Sequence, residues 1–152
     1  MKKFSFKLEP LLKLRKNQRD LAQQKLAEVL RRHDALLADR RRTEAERNTQ
    51  IEELRLLGNS GADIDIDAST SRRFYAAQLS GQIDDIDARR TALARQIEDC
   101  RQALVRADQS VKALEKLAEH QQAEFIYHHE RREARDLEEA WQAIHAGENE
   151  QC

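Results

Sequence analysis

A seam of residues spaced alternately four and three apart runs from Leu79 to Phe125: Leu79, Ile83, Ile86, Arg90, Leu93, Ile97, Cys100, Leu104, Ala107, Val111, Leu114, Ala118, Gln121 and Phe125. Broken only at Arg90 and Gln121, it is the a/d pattern of a coiled coil sustained for more than six heptads. Between these positions stand mostly Asp, Glu, Gln, Arg, Lys and Ala, so the helix has one narrow apolar stripe and needs a second helix to cover it. That second helix is expected in the same chain.

Composition agrees. Aromatic residues are 5% and charged residues 36% of 152, with four glycines and one proline, too little bulky apolar matter for a thick core. The net charge of −1 conceals an asymmetry: residues 1–57 hold 15 Lys and Arg against 9 Asp and Glu, and residues 58–152 hold 12 against 19. The halves attract each other, which favours pairing within the chain. It also argues against nucleic acid, which calls for one basic face without a compensating acidic half. Cys100 occupies a d position and reads as a small buried hydrophobe, and Cys152 as a free tail thiol. With no secretory apolar core and no run approaching the ~18 apolar residues of a membrane span, direct membrane insertion is not expected and the expected place is the cytoplasm.

In chain order, Phe4 and Phe6 form an apolar lead-in, and Pro10 suits a first helical turn, placing the start of helix one near Glu9. Its apolar positions continue to Leu57, but from Asp39 to Gln50 the only apolar residue is Ala45, with Arg40, Thr43 and Arg47 at the seam. Weak pairing, arginine stems laid along the partner, and bending or fraying are expected there. Stop signals cluster at Gly58-Asn59-Ser60-Gly61, followed by Asp63, Asp65 and Asp67, so residues 58–69 form an acidic loop. Ser69, Thr70 and Ser71 are candidate N-caps for a second helix over about 70–146, with Gly147 as its stop. The predicted fold is all-α: one antiparallel coiled-coil hairpin, helix two longer than helix one. Folding back sets position i against about 127 − i, so helix two overhangs from about Phe125, exposing Ile126, Tyr127, Leu137, Trp141 and Ile144 as a binding face.

The constellations that suggest chemistry are thin. His120, Glu124 and His128, with His129 adjacent, share a helix face, but no fourth zinc ligand is evident, and a solvated polar face is the better reading. Asp63, Asp65 and Asp67 open like a calcium loop, yet Ala68 and Phe74 stand where an EF-hand needs Gly and Glu. Arg40-Arg41-Arg42 is interleaved with acids. No phosphate-binding loop, nucleophile elbow or Cys-x-x-Cys occurs, so no enzyme, metal or cofactor is expected. Phe74 and Tyr75 read either as a packing staple against Leu54 and Leu57 or as an exposed aromatic anchor.

Lys3-Phe4-Ser5-Phe6-Lys7-Leu8-Glu9-Pro10-Leu11-Leu12-Lys13-Leu14-Arg15 resembles the N-terminal signature of the flagellar export protein FliJ family. Val111 to Leu117, Phe125, Arg131-Arg132-Glu133 and Leu137 to Ala140 resemble its C-terminal half. The resemblance implies a soluble, non-enzymatic stalk of the flagellar type III export apparatus, peripheral to the inner membrane at the flagellar base. It implies three partners: the export ATPase ring, the cytoplasmic domain of the export-gate membrane protein, and export chaperones. On this reading Phe4, Phe6, Leu8, Leu11, Leu12 and Arg15, with Phe125, Tyr127 and Trp141, face the ATPase, and Phe74, Tyr75, Leu79 and Ile83 face the gate. Tyr75, Leu79 and Ile83 fit the family's aromatic-x-x-x-Leu row, whereas helix one lacks its aromatics between Asp39 and Leu57. Injectisome stalk proteins share the architecture, and the Phe4/Phe6 opening favours the flagellar branch. The rival from another class is a structural coiled coil that homodimerises through its seam.

Overall fold

The computed structural model describes residues 2–59 and 65–149, and two helices account for its regular structure: α1 (Glu9–Asn59) and the longer α2 (Ile66–Asn149). No strand occurs among the described residues. The helices pair antiparallel, as the seam and the expected hairpin require.

α1 starts where Pro10 predicts. The Glu9 N–H donates to the Phe6 carbonyl at 3.2 Å and the Leu12 N–H to that of Leu8 at 2.9 Å, while Pro10 leaves no donor unpaired. α2 starts earlier than the expected position near residue 70. Asp65, not Ser69, Thr70 or Ser71, caps it: its Oδ1 accepts from the N–H groups of Asp67 at 3.1 Å and Ala68 at 3.2 Å, and its carbonyl from Ser69 at 3.0 Å. An ionised Asp at the positive end of a helix combines the cap with a favourable charge, which the hydroxyls lack. Residues 66–69, expected in the acidic loop, are thus the first turn of α2. Ser60 to Ile64, which include Gly61 and Asp63, lie outside the described residues, as does Cys152. α2 also passes Gly147, the expected stop, and ends at Asn149. A lone glycine in a helix costs about 1 kcal/mol and need not end it.

Contacts divide the chain into two units. In the unit Asp20–Val105, Val29, Ile97 and Cys100 form a buried cluster with Leu26, Leu30 and Leu93 packed against it. Cys100 is a free thiol in that cluster. Closer to the connection, Ala76, Leu79 and Ile83 are buried. The stretch Asp39 to Gln50, where bending or fraying was expected, is an unbroken part of α1. Charge holds it. The Arg40 Nε donates to Asp87 Oδ1 at 2.8 Å, the pairing that the 127 − i register predicts, while its Nη1 donates to Glu44 at 2.9 Å and Arg90 reaches Asp87 at 3.2 Å. Further along, the Tyr75 hydroxyl donates to Glu46, and Arg72 pairs with Glu53.

In the unit formed by Met1–Arg19 and Arg106–Cys152, Phe6, Leu12 and Val111 are the core, covered by Phe4, Leu114 and Ala118. Lys16 approaches Glu115 at 3.9 Å, and the ring centroids of Phe4 and Phe125 lie 5.7 Å apart. Every seam position of α2 from Leu79 to Ala118 is buried or half-buried, Arg90 included. Gln121 is exposed, Phe125 and His129 are half-buried, and from Glu130 to Asn149 every residue is exposed.

Candidate partner-binding surfaces

The unit that holds the chain ends divides its predicted contact residues between core and surface. Phe6 and Leu12 are buried and Phe4 and Leu11 half-buried, so they shape the surface from beneath. Leu8 and Arg15 are exposed, the Arg15 guanidinium donating to Gln18 at 3.2 Å. Phe125, half-buried, packs on Phe4 and approaches the His129 ring at 6.4 Å. Tyr127 is exposed, with the Arg131 guanidinium 5.7 Å above its ring. Trp141 is 61% exposed and stacks on His145 at 4.0 Å. Beside them Ile126, Leu137 and Ile144 are exposed too.

In the other unit the four predicted residues separate cleanly. Leu79 and Ile83 are 3% and 4% exposed, spent on the α1–α2 seam. The side chains open to solvent are Phe74, 72% exposed, and Tyr75, at 36%. The staple reading therefore fails for Phe74, while Tyr75 is anchored by its hydroxyl on Glu46, which holds that hydroxyl protonated and pushes its pKa up from 10.0. Leu56, Leu57 and Ile66 are also exposed, at the end of α1 and the start of α2. Leu56 and Ile66 are large apolar side chains away from the a/d positions, which is the signal that marks them, whereas Leu57 continues the α1 seam beyond the buried part.

Among the described residues no group of three or more His, Cys, Asp or Glu is placed to hold a metal ion, and the His120–Glu124 approach at 3.8 Å is solvent-exposed. No helix among them is long and apolar enough to cross a membrane. What the geometry offers is two sets of exposed aromatic and aliphatic side chains on a helical frame, which is the chemistry of protein–protein contact.

A family model described as Flagellar FliJ protein matches residues 4–150 of the 152-residue chain. Among curated proteins and among solved structures, none matches it.

Proposed function

The chain belongs to the flagellar FliJ protein family, and from that premise we propose that it works as a coiled-coil stalk, binding the export ATPase ring with one unit and the export gate with the other. Membership makes it a component of the flagellar type III export apparatus, in a family of non-enzymatic export components. The match over residues 4–150 is the observation that carries the reading.

In this proposal the whole chain acts as a single coiled-coil hairpin. The unit with the chain ends docks on the ATPase through Leu8, Arg15, Tyr127 and Trp141, while Phe4, Phe6, Leu11, Leu12 and Phe125 fix the shape of that surface. The other unit engages the cytoplasmic domain of the gate protein through Phe74 and Tyr75, with Leu79 and Ile83 holding the α2 face rigid beneath them. Export chaperones are further partners, and the protein sits peripherally at the inner membrane by way of the gate. Exposed aromatics at low entropic cost suit both contacts, since Tyr and Trp commonly carry most of a binding energy.

The test uses two double variants, both altering surface side chains. Tyr127→Ala with Trp141→Ala is expected to weaken binding to the ATPase ring about tenfold or more and leave the gate domain unaffected; Phe74→Ala with Tyr75→Ala should do the reverse. Circular dichroism of each variant checks that the helices are intact. A double variant that leaves its own partner's affinity unchanged removes that surface from the proposal.

A further inference from the structure

Past His129 no side chain of α2 is buried, yet the exposed residues are not evenly mixed. At about 100° per residue, Ile126, Leu137, Trp141 and Ile144 fall on one face of the helix. The charged residues interleaved on that face are Glu130, Glu133 and Glu148, and the residues flanking it on either side include Asp136 and Glu138. Arg132 and Arg135 lie round the back, while Arg131 stands beside Glu138 on the flank, its guanidinium engaged with Tyr127. Solubility alone is served by charges of both signs around an apolar stripe. Here the charges within the stripe itself are of one sign only, which attracts a cationic partner and repels an anionic one.

The upstream part of the same face already carries such a partner. Lys2 and Lys3, from the chain's own N-terminal segment, line a groove with Ile126, His129, Glu130 and Glu133, while Phe4 packs on Phe125. A basic pair followed by an apolar anchor thus lines the face as far as Glu133 without burying it, and downstream the same chemistry continues.

We propose that the acidic, apolar face of α2 from Glu130 to Glu148 is the docking surface for a basic amphipathic helix of a partner protein, laid on Leu137, Trp141 and Ile144 in continuation of the Lys2-Lys3-Phe4 segment. A helix is the natural occupant, because an exposed helical stripe of this length matches the i, i+3, i+4, i+7 anchors of another helix. The inference rests on the partner-binding reading of this unit and adds the chemistry of what binds. Its probe contains no ATPase, so it and the ATPase assignment fail separately.

The chain contains one tryptophan, Trp141, so its emission reports on this face alone. The full chain is titrated with a synthetic amphipathic helix of Leu and Lys, and with a matched helix of Leu and Glu. The basic peptide is expected to shift Trp141 emission to the blue, to bind at least about tenfold more tightly than the acidic one, and to weaken about tenfold as salt rises tenfold. Glu130→Gln with Glu133→Gln and Glu138→Gln should cut that affinity about tenfold, as should Leu137→Ala alone, whereas Asp84→Asn with Asp85→Asn should leave it unchanged. Equal binding of the two peptides, or equal loss in the Asp84/Asp85 variant, overturns the proposal. So does a concentration-dependent shift without peptide that light scattering assigns to dimers, since the occupant is then a second copy. A shift with anionic vesicles but none with the basic peptide overturns it in favour of lipid.

Discussion

Leu79 and Phe74 stand five residues apart on α2 and do opposite work: one is 3% exposed in the seam, the other 72% exposed in water. Truncating the first removes burial and leaves a gap that a two-helix seam relieves only in part, so Leu79→Ala is expected to lower unfolding stability by about 2 kcal/mol in urea titrations, while Phe74→Ala leaves it nearly unchanged. Gly81 lies between two seam residues, in the interior of α2, where an added Cβ meets nothing within 4 Å. Gly81→Ala should therefore raise stability by about 0.5–1 kcal/mol through helix propensity, read from the same titrations. The ion pair at Arg40 gives a pH signature. The hydrogen bond from Arg40 holds the Asp87 carboxyl below its ordinary 3.8, aided by the Arg40 and Arg90 charges and opposed by desolvation. A carboxylate with a depressed folded pKa adds stability above the unfolded value and loses it as pH falls through the folded one. The melting temperature of the protein should accordingly exceed that of Asp87→Asn near neutral pH, and the difference should close on acidification below 3.8. A difference that persists unchanged in acid would mean that the pair adds nothing.

At the scale of the element, α2 contains a capped start, a seam and an unpartnered end, and these were unequally legible. Period decides the seam, and every position read from the sequence between Leu79 and Ala118 is at least half-buried. The start of α2 is hard to read because Asp63, Asp65 and Asp67 look like loop acids while Ser69, Thr70 and Ser71 are equally competent caps, and which one caps depends on backbone geometry that composition does not carry. In the polar stretch of α1 the expected arginine stems are present, Arg40 and Arg47 being half-buried, as is Thr43, and the helix does not fray: charges that look like breaks in a seam make the cross-helix bond to Asp87 and bonds within α1 to Glu44. Among the predicted contact residues, depth is not legible in the sequence. Leu79 and Ile83 match a recognition row and also a seam, and only packing tells which face they serve. The unpartnered end predicts an uneven exchange profile. Amides from Glu130 to Asn149, with no buried side chain beneath them, should exchange with deuterium much faster than those from Leu79 to Val111, and should gain protection when the export ATPase is added. Equal protection in the free protein would show that this end is covered.

For the whole molecule, the opposing charges of the two halves match the cross-helix pairs found, Arg40 with Asp87 and Lys16 with Glu115. The Arg72–Glu53 pair runs against that polarity, so charge biases the pairing and the apolar seam dictates it. Family membership places the protein in flagellar export, and under the stalk proposal it acts there by changing what its partners do. The decisive measurement is the ATPase rate of the same organism's export ATPase with and without this protein, with each mixture run through size-exclusion chromatography and light scattering. The stalk proposal predicts a raised rate and a complex near one chain per ring. An unchanged rate, with the chain eluting by itself as a stable homodimer, would contradict it.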